Sequence, residues 1–92
     1  MFRMWGKVFK DNHLLKDMVY SDDSDLNRTR KVFKGLEEMC LAFDLENPLW
    51  LDASIKDFKR HSKCRFGKDS FIEHIDFDYL EIQVIEEDDY YL

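Results

Sequence analysis

Proline and glycine are scarce in this chain of 92 residues, with one Pro and three Gly. So few breakers imply short connections, and so few glycines exclude the phosphate-cradling and dinucleotide-binding loops, which need them. No stretch approaches the roughly 18 consecutive apolar residues of a membrane-spanning helix. Arg3 and Lys7 interrupt the N-terminal apolar residues, so a secretory h-region is not expected. The two cysteines, Cys40 and Cys64, sit in different contexts and suggest no disulfide framework. Together these absences favour a soluble protein of the reducing cytoplasm.

Large rings are what the chain has in quantity: Phe 8, Tyr 4 and Trp 2 make it 15% aromatic. Each ring removes on the order of 150–250 Å² from water when buried. A disordered chain that is 37% charged would not carry so many. The length suits one domain, residues 1–92, which would bury about 65% of the unfolded chain's surface.

The first twenty residues read as a β-hairpin, with strands at 4–9 and 14–20 around Lys10-Asp11-Asn12-His13. Asp and Asn tolerate the left-handed backbone of a tight turn. A two-residue loop at Asp11-Asn12 sets Phe9 opposite Leu14, Val8 with Leu15, and Trp5 opposite Met18. The polar, acidic connector Ser21-Asp22-Asp23-Ser24-Asp25 supplies N-cap candidates for a long helix over 25–43. Its apolar stripe is Leu26, Phe33, Leu36, Cys40 and Phe43, joined by Val32 and Met39. Arg28, Arg30, Lys31 and Lys34 lie on its polar face, against the macrodipole preference.

Pro48 closes the segment after that helix, and Leu49-Trp50-Leu51 returns toward the core. Asp52 can cap a short second helix over 53–62, with Ile55 and Phe58 inward. Residues 63–70 read as a loop or short strand broken at Gly67. Residues 71–87 alternate in two phases: Ile75, Phe77 and Tyr79, then Leu80, Ile82 and Val84. This implies a bulge, a bend or two strands. Residues 87–92 read as a frayed acidic tail. The fold class expected is α+β: an N-terminal hairpin, one long amphipathic helix, a short second helix and C-terminal strand or strands. Together they would form a small sheet with helices on one face.

No motif commits the chain to catalysis. His61 and Cys64 have H-x₂-C spacing and His74 follows with Asp76 and Asp78. Zinc needs about four converging ligands, and Lys63 and Arg65 repel a cation, so no metal is expected. Cys40 packs as a small hydrophobe. Cys64, beside Lys63, Arg65 and His61, would gain thiolate character, but nothing supplies an orienting partner for an enzyme nucleophile. Asp76 and Asp78, with Glu73 and Glu81, read as a solvated strand face. No cofactor is implied and the expectation is a protein without enzyme activity.

Charge is unevenly spread. The chain carries −6, yet Lys56, Lys59, Arg60, Lys63, Arg65 and Lys68 against Asp57 give residues 55–68 a charge of +5, leaving −11 elsewhere. Phe58 and Phe66 are interleaved with these bases. Three readings stay open. The run is a solvated outer face, or it pairs within the chain with Asp22-Asp23-Asp25 or the acidic tail, or it meets a partner. The first two readings outweigh a partner for this run; where a partner is met, a protein or a second copy is favoured. The alternative is nucleic acid, with Arg28, Arg30, Lys31 and Lys34 extending the surface.

The segments Trp5-Gly6-Lys7-Val8-Phe9-Lys10-Asp11-Asn12, Arg28-Thr29-Arg30-Lys31-Val32-Phe33 and Phe77-Asp78-Tyr79-Leu80-Glu81-Ile82-Gln83-Val84-Ile85-Glu86-Glu87 resemble a group of short uncharacterised bacterial proteins. The resemblance implies a free-standing bacterial domain of about this length, and no activity, cofactor or site residue follows from it.

Overall fold

The computed structural model describes residues 1–87. Strands β1 (Phe2–Lys10) and β2 (His13–Asp22) form the hairpin, followed by helices α1 (Arg28–Ala42) and α2 (Asp52–His61). Then come β3 (Lys63–Gly67), a 3₁₀ turn at Lys68–Ser70 and β4 (Tyr79–Glu86). The strands make one four-stranded antiparallel sheet in the order β2-β1-β4-β3. The helices lie on one side of it, as the α+β reading expected. The acidic segment assigned to 87–92 falls outside the described residues beyond Glu87.

The hairpin turns through Asp11 and Asn12, both left-handed at φ 52 and 64. This is the two-residue geometry that matches strand twist. Phe9 faces Leu14 as expected, but Val8 faces Lys16 and Trp5 faces Val19. Leu15 is an extra residue on β2, a bulge that displaces the expected pairing by one. Tyr20 therefore stands opposite Met4 and points into the core.

Helix α1 begins two to three residues later than expected because Asn27, not an aspartate, caps it by accepting the Arg30 N–H at 2.9 Å. Leu26 thus lies outside the helix. Val32, Leu36, Met39 and Cys40 are buried as expected, with Phe43 just beyond the helix end. Two members of the helix differ. Phe33 is 51% exposed rather than core, and Lys31 is 1% exposed rather than on the polar face. The sheet-facing stripe is centred on Lys31, Val32, Gly35, Leu36 and Met39, and Phe33 lies on its flank.

Two glycines set how closely α1 approaches the sheet. A Cβ on Gly6 of β1 would lie 2.4 Å from Met39 Sδ, and one on Gly35 of α1 would lie 2.7 Å from the Tyr20 ring. A side chain at either position would force Met39, or Tyr20 and Met4, to shift. The buried apolar side chains of the inner sheet face, α1 and α2 then make one cluster, from Phe2 and Met4 to Leu80 and Ile82.

Residues 71–78 form no strand. They close one end of the core through Phe71, Ile75 and Phe77, with the Phe71 and Phe77 rings edge to face at 5.9 Å. The phase change seen in the sequence is the junction of this loop with β4, marked where the Asp78 N–H donates to the Phe9 carbonyl at 2.9 Å. Helix α2 starts at Asp52, with Leu51 at the cap position and no side-chain cap bond. It runs back along the outer edge of β3, where the Ser54 hydroxyl donates to the Arg65 carbonyl.

At the end of β2, Asp22 accepts from the Ser24 N–H at 2.8 Å and from the Tyr20 hydroxyl at 2.6 Å. Hydrogen bonding from Ser24 and then Tyr20 holds the Asp22 carboxyl down at about 2. Burial, joined by the same contact with Asp22, pushes the Tyr20 phenol up.

Two outcomes are expected. Gly35→Ala places a methyl against the Tyr20 ring and lowers unfolding stability by about 1–2 kcal/mol, overriding the ~1 kcal/mol helix-propensity gain; urea denaturation checks it. Asp22 has a folded value below its ordinary 3.8, so its contribution is complete above that value and is lost as pH falls through about 2. Thermal midpoints of Asp22→Asn should therefore fall less steeply than those of the parent across that window.

Candidate functional site

Antiparallel pairing puts directly opposed residues on the same face. On the face away from the helices, one cross-strand row reads Asp17, Lys7, Glu81, Arg65, so the sign of charge alternates across all four strands. Lys7 Nζ lies 2.8 Å from Glu81 Oε2 and Arg65 Nε lies 3.1 Å from Glu81 Oε1, so each cation takes one carboxylate oxygen. Lys7 also donates to Gln83 at 3.2 Å and lies 3.9 Å from the Trp5 ring centroid. Trp5 Nε1 donates to Asp17 at 2.8 Å.

The Lys7 and Glu81 side chains are only 10% and 6% exposed, although no helix covers them. Trp5 shields the pair on one side, and Tyr79 does so on the other, with Phe9 stacked on it and Arg65 over it. Burial raises the Glu81 carboxyl, but the hydrogen bonds and charges of Lys7 and Arg65 outweigh it and leave it below its ordinary value. The aromatic rings of this face are therefore occupied by one another and by cations, and its carboxylate is committed to two partners. It is a structural network.

The helix side offers a different surface. Between α1 and α2 lies a groove of about 350 Å³. Trp50, from the connection between the helices, sits at its centre. It packs edge-on against Phe66 at 4.9 Å, Phe58 at 5.7 Å and Phe33 at 5.9 Å. Val32 and Thr29 continue the α1 wall and Ile55 the α2 wall, and Arg28 and Lys59 supply a cation from each helix. Arg28 is held in place on three sides. It lies 5.2 Å from the Phe58 ring centroid, donates to Ser62 Oγ at 2.9 Å, and pairs with Glu87 at the end of β4.

The basic run does not form one surface. Lys59 lines the groove, while Lys56 and Arg60 are exposed and turned away from its row on α2. Lys63 and Arg65 stand opposite Gln83 and Glu81 on the helix-free face, and Lys68 lies exposed on the 3₁₀ turn. Of the α1 bases, only Arg28 lines the groove; Arg30 and Lys34 are exposed on other sides of the helix. Lys31 is buried against the sheet, close enough to Asp22 to lower its carboxyl. The sequence missed Phe33, Trp50 and Val32 as groove residues; the width of the α1 apolar stripe, broader than one sheet-facing row, was the available signal.

Cys64 departs from expectation. It points into the core opposite Ile82, and burial, followed by the charges of Asp57 and Glu81, pushes its thiol up to about 12. The neighbouring cations do not reverse this, because Lys63 and Arg65 project to the other face of β3. Cys40 is likewise pushed up to about 11 by burial. Among the described residues no three His, Cys, Asp or Glu side chains converge as metal ligands. Asp76 and Asp78 do not share a strand face: Asp76 lies 3.2 Å from His74, and Asp78 accepts the Asp11 N–H at 2.9 Å. Among the described residues no helix is long and apolar enough to cross a membrane. Compared with known proteins, the chain matches no family model, no curated protein and no solved structure.

Lys7→Met should lower stability by about 3 kcal/mol, because it leaves the buried Glu81 carboxylate with Arg65 alone. Arg65→Met, whose side chain is 62% exposed, should cost less than about 1 kcal/mol. Equal losses in chemical denaturation would contradict this account of the row.

Proposed function

We propose that the protein is a non-enzymatic binding module whose α1–α2 groove seats an acidic segment of a partner protein through an aromatic side chain. The observation that carries this reading is the juxtaposition of half-open rings with two cations. Phe33 is exposed and Trp50 half-buried, while Arg28 and Lys59 stand beside them. An aromatic anchor entering such a pocket gains area burial and edge-to-face contacts, and carboxylates beside it meet Arg28 and Lys59. Arg28 is already organised for a carboxylate, since Phe58 and Ser62 fix its guanidinium and Glu87 occupies it. The remaining exposed bases raise the encounter rate with an acidic partner more than they set affinity. A specific interface buries roughly 800 Å² per partner, well within the surface of 6257 Å².

Fluorescence polarisation with labelled hexapeptides, each combining acidic residues with one Phe, Tyr or Trp, tests the proposal. Binding should weaken with salt and fall at least about tenfold in Lys59→Glu, because the exposed substitution reverses a groove charge without touching the core. Lysine-substituted peptides should not bind. The reading is overturned if no acidic aromatic peptide binds. It is equally overturned if labelled oligonucleotides bind at low salt and lose retention in the Lys59→Glu, Arg60→Glu, Lys63→Glu variant.

A further inference from the structure

The two edges of the sheet differ. Helix α2 runs along the outer edge of β3, with the Ser54 hydroxyl on the Arg65 carbonyl. Among the described residues no strand pairs with the outer edge of β2. Leu14, Leu15, Lys16, Asp17, Val19 and Ser21 are all exposed there. Such an edge presents a row of unpaired N–H and C=O groups, a template for one more strand. The Leu15 bulge blunts it only at the hairpin end. From Lys16 to Asp22 the strand is regular and holds no proline.

We infer that two copies of the chain join β2 to β2, antiparallel, across a twofold axis at Val19. A strand paired antiparallel with itself sets one residue at the axis, opposite its own copy, and directly opposed residues share a face. An axis at Lys16 or Asp17 opposes like charges, which is destabilising. An axis at Met18 sets Lys16 against Tyr20 and Asp17 against Val19, so neither charge is matched. An axis at Val19 sets Val19 on Val19, Met18 on Tyr20 and Lys16 on Asp22, the last two pairs twice over by symmetry. Val19 is also the midpoint of the regular stretch, so all of it pairs, whereas a later axis runs the ladder past Asp22, where β2 ends. Lys16 to Asp22 carries only −1 of the chain's −6 and adds little to the repulsion between two acidic chains. The axis is normal to the sheet, so the helices and α1–α2 grooves of both copies lie on one side of an eight-stranded sheet. The pairing does not depend on what the groove binds. A single ladder falls short of the roughly 800 Å² per partner of a standard interface, so the dimer is reversible.

Sedimentation equilibrium of the full chain from about 5 µM to about 1 mM should show a reversible monomer–dimer exchange, as a small interface requires. Val19 is 47% exposed, so changes there leave the core intact, which far-UV circular dichroism checks. Val19→Asp and Val19→Lys each bring like charges together at the axis and should raise the dissociation constant at least about tenfold. Val19→Ile should stay within about threefold of the parent. Cross-linking by oxidised glutathione reads the register directly, since Cys40 and Cys64 are buried. Two Val19→Cys copies face each other and should link readily. Two Ser21→Cys copies lie about 14 Å apart along the ladder, beyond the roughly 7 Å between Cα atoms that a disulfide spans. A parent that stays monomeric throughout overturns the inference, as does a dimer that survives Val19→Asp. Equal cross-linking of the Val19→Cys and Ser21→Cys proteins overturns the Val19 axis.

Discussion

The row Asp17, Lys7, Glu81, Arg65 ties all four strands together on the face that no helix protects. Side chains alternate along a strand, so a slip of one residue in any strand would send its charged member to the core and its apolar member to water. The cost of burying Lys7 or Glu81 unpaired makes that error expensive, and the sheet is thereby held in one register. The inner face follows from this choice. With Lys7 and Glu81 outward, Gly6, Val8, Leu80 and Ile82 must face the helices.

Fixing Gly6 and Tyr20 on the inner face then places α1. Met39 lies over Gly6, and Gly35 lies over Met4 and Tyr20, so the helix rests close to β1. Its apolar stripe is wider than the sheet can cover, which leaves Phe33 on the flank beside Trp50. The groove is the consequence: Trp50 reaches down to Phe66 on β3, but the space between α1 and α2 above it stays open. Ser62, left-handed at φ 54, turns the chain from α2 into β3 and offers its hydroxyl to Arg28. The N-terminus of α1, the end of α2 and the end of β4 thus meet at one cation.

Much of the fold was legible because it is written at short range. Asp11-Asn12 announced a left-handed turn, the three- and four-residue steps of Leu26, Phe33, Leu36, Cys40 and Phe43, joined by Val32 and Met39, announced a helix, and Leu80, Ile82 and Val84 announced a strand. The misreadings share a cause. The Leu15 bulge, the burial of Lys31 and the exposure of Phe33 depend on what stands opposite each residue. Residues 71–77 have strand-like alternation because Phe71, Ile75 and Phe77 are buried, yet their backbone forms no ladder. Of the candidate surface, Arg28 and Lys59 were named from the sequence, but as members of larger charged sets whose other members point elsewhere.

By itself the sequence determined the elements, their order and the chemical character of each face, since periodicity and turn sterics act over a few residues. Only the tertiary structure decided which charges meet. Lys7 and Gln83 lie 76 positions apart, and their contact exists because β4 pairs with β1 rather than at the sheet's edge. The same topology divides the basic run between a groove, a charged row and open solvent. Strand order is a global choice among arrangements with similar local patterns, made by shared burial and charge pairing, and no short window of sequence contains it.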